Sequence, residues 1–448
     1  MSASVIIVGA GFSGLAAATH LAQAGLPVTV IEKTPRPGGR CMSFQDPVTH
    51  DWIDCGQHLL MGCYSETLDL LERLGTRGEL QELPTAVHWR TPDGRCHTLD
   101  VGSTASPLRQ LIGFLRLSSL KWKDRWAVVR ALLAIKPLSE NQIADLNAIS
   151  ALQWLQSLRQ TPRAVSRFWE PLLVAALNET PERAAADGLA VVARRALLSG
   201  PEAAKFLLPR NCLQDLFHPA VEECVQKAGG KVLYKQRVER IALREKGSLE
   251  VALAGGQSLR SEFVILAVPP SILATLLQDA GEEMNSLRRQ AMNLSCSPII
   301  TTYLWLRKTL FKESMMGLLD GPLHWIFSKP FPIDERSLGQ RLGVVSSAST
   351  EWSDWKPEAI KQETMQQLAR YFSDFSPEAV MHCRVVHQRE ATVSLRPGSA
   401  ADRPGAKTAW PNLLLAGDWT ATGLPATIES AVVSGRRCAE QILELVRN

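Results

Sequence analysis

Nowhere in the 448 residues does an uncharged apolar run reach the ~18 positions a helix needs to cross a bilayer, so no membrane-spanning helix is expected. Excess charge of one sign is also missing. Forty-nine Lys and Arg against 45 Asp and Glu leave a formal +4, which speaks against nucleic acid as a partner. The nine cysteines form no C-x-x-C pair and no metal-ligand spacing. Neither a metal centre nor a disulfide framework is expected, and reduced thiols in a cytoplasmic protein fit this pattern. Cys55 and Cys63 are read as unbridged. The chain passes from Met1 to an apolar strand within four residues, too few for a secretory leader, and it ends without a lipidation box. Repeats and low-complexity linkers are absent, so domains are expected to interleave. Otherwise the composition is globular, 45% hydrophobic and 21% charged, and the length allows one to three domains.

What is present begins at once. Val5-Ile6-Ile7-Val8 runs into Gly9-Ala10-Gly11-Phe12-Ser13-Gly14, and a helical pattern follows. A strand, a G-x-G-x-x-G turn and a helix form the cradle of a dinucleotide pyrophosphate. Gly9 allows the tight turn, Gly11 lets backbone N–H groups approach phosphate, and Gly14 lets helix and strand pack closely. The helix start adds orphan donors and partial positive charge. A second strand, Pro27 to Ile31, ends at Glu32, about 20 residues on, where a carboxylate meets ribose hydroxyls.

Further along, residues 86–101 read as a hairpin turning at Thr91-Pro92-Asp93-Gly94. Residues 106–180 read as mostly helical. A helix is expected from Leu213 to Lys227. Strands are expected at Lys231–Tyr234, Arg237–Arg244, Leu249–Leu253 and Phe263–Val268, with Ala254-Gly255-Gly256-Gln257 as the turn between the last two. Residues 297–308, 323–329, 341–348 and 380–393 look like a second, antiparallel sheet, with a helix near 357–373.

The tail resembles a second cofactor clamp. The strand Asn412 to Ala416 ends in Gly417-Asp418, which can set Asp418 near a flavin's ribityl or phosphate groups. The helix entered at Ala426-Thr427-Ile428-Glu429 would aim its first amides at the flavin edge that becomes anionic on reduction. A final βα unit that merely completes the sheet is the plainer alternative.

These residues resemble a known group. Val8 to Gly14, Glu32 and Pro37-Gly38-Gly39-Arg40 look like the FAD clamp of the amine oxidase and phytoene desaturase superfamily. Val238, in Arg237-Val238-x-x-Ile241, matches the strand whose backbone reaches adenine, and Val268-Pro269-Pro270 matches the crossover leaving the FAD domain. Three stretches narrow the likeness: Ile53-Asp54-Cys55-Gly56-Gln57-His58 with Gly62-Cys63-Tyr64, Phe168-Trp169-Glu170-Pro171-Leu172 to Asn178, and Gly417-Asp418-Trp419-Thr420 to Glu429. Together they are similar to the squalene-associated FAD enzymes, the hydroxysqualene dehydroxylase family. Two departures concern local flavin contacts: Cys55 stands where the family suggests Asn, and Glu390 where it suggests a basic residue.

The resemblance implies an α/β chain with a Rossmann-like FAD-binding domain and an interleaved α+β substrate domain. The former would comprise residues 1–85, 205–275 and 394–448, the latter 86–204 and 276–393. FAD would contact Gly9, Ala10, Gly11 and Gly14, then Glu32 and Lys33, and Gly39 and Arg40. Val238, Gly417, Asp418, Thr427 and Ile428 would complete its site. No metal is implied. The reaction implied is reductive removal of an allylic hydroxyl from a C30 isoprenoid. It needs a reacting carbon beside flavin N5, a proton for a poor leaving group, and a dry pocket.

Gln57 and His58 are the candidates for catalysis, His58 donating the proton and Gln57 orienting the hydroxyl. A histidine that only stabilises its loop is the alternative reading, and Tyr64 and Glu429 are weaker candidates. Phe168, Trp169, Leu172, Leu173, Trp305 and Trp325 could line an apolar tunnel or simply fill the core. No second glycine turn of this type follows another strand, so a separate protein or a quinol-like donor is expected to reduce the flavin.

Residues 106–136 carry Arg109, Arg116, Lys121, Lys123, Arg125, Arg130 and Lys136 against Asp124 alone. Leu108, Leu111, Ile112 and Leu115 fall at helical spacing, as do Trp122, Trp126, Val129 and Leu133. Basic residues among Trp and Leu suit peripheral contact with anionic lipid on the inner face of the cytoplasmic membrane; an ordinary cap helix with a solvated basic face suits them too. Rival functions are a carotenoid-type desaturase on the same scaffold and a non-catalytic prenyl carrier. The carrier fits poorly with an intact glycine turn. Amine oxidation would need an aromatic cage that the sequence does not reveal.

Overall fold

The computed structural model describes residues 4–84, 86–100, 114, 116–244, 247–333 and 338–447. The Val5–Val8 strand lies at the centre of a five-stranded parallel sheet. The order is Lys231–Leu233, Val28–Ile31, Val5–Val8, Phe263–Leu266, Leu413–Leu415, so three distant parts of the chain build one sheet.

Such a sheet is covered on both faces, and the central strand shows how. Val5 and Ile7 point into a core shared with the helices Phe12–Gln23, Ala220–Lys227 and Ile428–Arg447. Ile6 and Val8 point the other way, against the antiparallel strands Val238–Leu243 and Leu249–Leu253 and the helices Pro270–Leu276 and Asn285–Asn293. Period-two alternation on an entirely apolar strand thus feeds two cores.

The second sheet has seven strands. Val380–Val393, Cys296–Leu306, Leu338–Ser347, Trp325–Pro332 and Met315–Leu318 run antiparallel in that order. The helix Pro357–Tyr371 packs on the sheet through Ile360, Leu368 and Tyr371. The hairpin Ala86–Arg90 and Cys96–Asp100 adds the last two strands. It joins in parallel, Gly317 opposite Trp89, so one junction departs from the expected antiparallel pattern. A third, helical layer follows, with Trp122–Ile135, Ala151–Ser157, Glu170–Leu177 and Ala186–Val192 around one apolar cluster.

Several local expectations are corrected. The helix expected over 213–227 is a short 3-10 turn, Leu213–Leu216, and an α-helix that starts only at Ala220. Pro219 has no N–H and cannot continue the ladder. The turn at 254–257 does not lead into Phe263–Leu266; it leads into Ser258–Ser261, the third strand of a small sheet with Leu249–Leu253. Trp169, Leu173 and Trp305 are fully buried core residues. The Trp169 indole donates to Gln160 Oε1 at 2.8 Å, and that of Trp305 to Asp51 Oδ2 at 3.3 Å. Phe168, Leu172 and Trp325 remain partly exposed. All nine cysteines are free thiols. No described helix is long and apolar enough to cross a membrane.

Candidate active site

The first clamp is built from backbone constraints. Gly9 has φ +104°, and a Cβ there would stand 2.3 Å from the Ala267 carbonyl oxygen. A Cβ on Gly14 would stand 2.0 Å from the Gly9 carbonyl oxygen, whereas one on Gly11 meets nothing within 4 Å. Two glycines therefore serve packing, and the third faces open space at the start of a helix. A carboxylate closes the turn from behind. Glu32, 5% exposed, accepts from Ala10 N at 2.8 Å and from Thr34 N and Oγ1 at 2.9 and 2.8 Å. Gln236 N donates to the Glu32 carbonyl at 2.9 Å and brings Val238, two residues on, to the same end of the sheet. Lys33 is exposed there.

The Pro37–Arg40 turn folds over the first one. Gly38 N donates to the Ala10 carbonyl at 2.7 Å, and Gly39 approaches Gly11. This sets Arg40 against the tail. Its Nη2 lies 2.5 Å from Asp418 Oδ1, and its Nη1 donates to the Ala391 carbonyl at 3.2 Å. Burial disfavours the Arg40 charge, but Asp418 outweighs that and raises its pKa. Ala391 belongs to the Val380–Val393 strand, so Arg40 ties the two expected clamps to the second sheet. Arg403, which sequence reasoning missed, braces Asp418 from behind by donating to the carbonyls of Asp418, Trp419 and Thr420 at 3.0, 3.2 and 2.6 Å.

Thr427 starts the closing helix, its Oγ1 accepting from Ser430 N at 3.3 Å, and Ile428 is the first helical residue. Glu429 turns away from that helix. Its carboxylate accepts from Glu66 N at 3.1 Å, Thr67 N at 2.9 Å and Thr67 Oγ1 at 2.7 Å. Arg195 Nη2 stands 3.3 Å from it. It caps the Ser65–Leu74 helix, whose own cap residue, Tyr64, supplies no side-chain acceptor. Burial pushes the Tyr64 phenol upward, so it stays protonated.

Gln57 and His58 follow the Trp52–Asp54 strand. Gln57 Nε2 donates to the Tyr303 hydroxyl at 2.9 Å, and Tyr303, fully buried, donates on to the Asp54 carbonyl at 2.9 Å. Among the described residues nothing bonds Gln57 Oε1. The Asp54 side chain fixes this loop from below, accepting from Ser43 Oγ at 2.6 Å and Leu213 N at 2.9 Å. Burial and the Arg40 charge hold the His58 imidazole down at about 4. It is therefore neutral at pH 7. Burial pushes the Cys55 thiol up to about 11, so the departure at this position brings no reactive thiolate.

The arrangement fits FAD. Open space faces the Gly11 backbone, a buried carboxylate closes the first turn, and a buried Asp418 is held by a cation. The sequence profile of the flavin-containing amine oxidoreductases matches residues 12–443. The chain belongs to that family. It is an FAD-dependent oxidoreductase. Hydroxysqualene dehydroxylases of Rhodopseudomonas palustris and Sinorhizobium fredii are 29% and 30% identical to it, each alignment covering 99% of both chains. Among solved structures, a redesigned putrescine oxidase superimposes with a TM-score of 0.75 at 19% identity over 99% of both chains, which is a likeness of fold.

Proposed function

We propose that this chain reduces hydroxysqualene to squalene. The observation that carries the reading is similarity along 99% of both chains to two proteins of that activity. In the reaction an allylic C–O bond breaks, a C–H bond forms at the carbinol carbon or its allylic partner, and the hydroxyl leaves as water with one added proton. FAD, when bound in reduced form, would supply the hydride. The residues proposed to hold it are Gly9, Ala10, Gly11, Gly14, Glu32, Lys33, Gly39, Arg40, Val238, Gly417, Asp418, Thr427 and Ile428. The matching division of the chain is 1–85, 205–275 and 394–448 for the cofactor, and 86–204 and 276–393 for the substrate.

Gln57 is proposed to orient the hydroxyl. Tyr303 anchors its amide through Nε2, which leaves Oε1 to accept from a carbinol O–H. His58 is proposed as the acid. An imidazolium held at about 4 is a stronger acid than an ordinary one, which suits a leaving group as poor as hydroxide. Its scarcity at neutral pH is the cost, and a negative charge arriving beside it would offset that by raising the value. Phe168, Leu172 and Trp325 are proposed to keep the hydrocarbon pocket dry.

The test is anaerobic. Photoreduced enzyme is mixed with hydroxysqualene, and oxidised enzyme with phytoene. The expected product is squalene, lighter than its substrate by one oxygen, with stoichiometric reoxidation of the flavin. Conversion of phytoene to a product lighter by two hydrogens, without squalene in the first mixture, would replace this reading by a desaturase.

A further inference from the structure

We propose that the outer face of the Trp122–Ile135 helix docks this protein on an anionic lipid bilayer. The helix is apolar on two opposite sides. Inward, Ala127, Val128, Ala131 and Ile135 are buried in the helical layer. Outward, Trp122, Trp126 and Leu133 are 57%, 54% and 66% exposed. With half-buried Val129 they recur at helical spacing and form one stripe opposite the buried one. The two indoles meet edge to face, centroids 5.8 Å apart. Exposed aromatic surface of this kind marks an interaction site.

Charge selects the partner. Lys121, Lys123, Arg130 and Lys136 are exposed along the helix. The single acid, Asp124, is turned inward and fully buried. It accepts from Lys121 N at 2.9 Å and Thr161 Oγ1 at 2.6 Å, so its charge is spent on the helix start. Among the described residues of this helix, the outer face therefore presents indoles and cations with no anion among them. A second copy of the chain would set cations against cations. An anionic lipid surface complements both features, because indoles favour the headgroup region and each Lys or Arg gains from anionic lipid. Only the purpose rests on the proposed reaction: its C30 substrate is a bilayer-resident hydrocarbon, and docking here would shorten its path to the pocket. Residues 106–113 and Leu115, expected to join this surface, lie outside the described residues.

Holoenzyme is floated with vesicles of phosphatidylcholine alone and of equimolar phosphatidylcholine and phosphatidylglycerol, at low and at molar salt. Binding to the mixed vesicles at low salt, weakened by salt, is expected, with a blue shift of indole fluorescence. The variant W122S/W126S/L133S is expected to bind at least tenfold more weakly. K123E/R130E is expected to lose about fivefold or more per residue reversed. Both variants should keep wild-type turnover on detergent-dispersed substrate, which shows them folded. The proposal is overturned if wild type stays unbound at low salt, if either variant floats like wild type, or if the Trp/Leu variant changes only oligomeric state. Flotation without squalene formation would instead reject the proposed reaction and leave docking in place.

Discussion

Replacing Glu429 removes the cap of a helix whose first turn lies more than 360 positions away in the chain. The Ser65–Leu74 helix opens with Glu66 N and Thr67 N pointing at that carboxylate, with no acceptor on Tyr64 to take its place. In Glu429→Ala both donors are stranded in a site where Glu429 is 2% exposed. Each buried orphan costs about 1–3 kcal/mol, and the lost anion at the helix start adds about 1 kcal/mol. Arg195, a third exposed, recovers water and adds little. The sum is about 4 kcal/mol. With about 2.1 cal/mol/K of unfolding entropy per residue, Tm falls by about 4 °C if the chain unfolds as one unit. Glu429→Gln keeps one acceptor and turns an N–H₂ toward the other donors, so its loss should be about half as large. Thr67→Val deletes only the hydroxyl bond, about 1 kcal/mol. Circular dichroism melts of the holoenzymes rank the three. A Glu429→Ala protein melting within 1 °C of wild type, or a Gln variant as damaged as the Ala one, would refute the cap.

In His58→Ala, turnover with pre-reduced flavin is expected to fall by about 100-fold or more, and the wild-type rate should climb as pH drops from 8 toward 5. Near wild-type turnover would remove His58 as the acid. Burial also holds His324 at about 4, and its Nδ1 accepts from Ser347 N at 3.0 Å. Unfolded histidine takes up its proton near pH 6.5 while these two do so only near 4. Stability should therefore be full above pH 6.5 and lost as pH falls through that window, by about 3 kcal/mol per histidine. His324→Gln should flatten the melting profile there. Gly11→Ala should leave the apoprotein melt unchanged and weaken FAD binding at least about tenfold by fluorescence titration, whereas Gly14→Ala should lower the melt itself. Asn178 holds φ +52° and joins the helical layer to the second sheet, donating to the Ser297 carbonyl and Thr392 Oγ1 and accepting from Ala348 N. Asn178→Ala should cost about 3 kcal/mol and Asn178→Gly less, since glycine relieves the backbone.

The parts legible in the sequence are those encoded locally. The Val5–Val8 strand, its glycine turn and Glu32 lie within 28 residues, and each has a distinct chemical reason for its residue type. The strands expected at 297–308 and 380–393 are observed as Cys296–Leu306 and Val380–Val393, so they too are encoded locally. What was not legible lies in partners far apart in the chain. Nothing near Gln57 points to Tyr303, and nothing near Asp418 points to Arg403. The hairpin at 86–100 was readable, but not the strand it joins, more than 200 positions away. Glu429 left one usable signal. A helix opening at Tyr64-Ser65 without a capping side chain asks for an acceptor from elsewhere. The signal that divides the helix expected over 213–227 is local too: Pro219 offers no N–H to continue the ladder.

Arg40 lies between the two roles proposed for this site, holding the cofactor and delivering a proton. Its guanidinium grips Asp418 in the turn after the Leu413–Leu415 strand, reaches the Ala391 carbonyl in the second sheet, and its own carbonyl accepts from Gln388 Nε2 at 3.1 Å. A residue that only neutralised Asp418 could be a lysine, but a lysine has one nitrogen to place and this position uses two in different directions. Burial first, and then this same cation, hold the His58 imidazole down. The cation that supplies the smaller part of that shift is itself held by Asp418, in the ion pair that joins the tail to the glycine turn. On this geometry Arg40 both pairs with Asp418 and adds to the burial that lowers the proton affinity of His58.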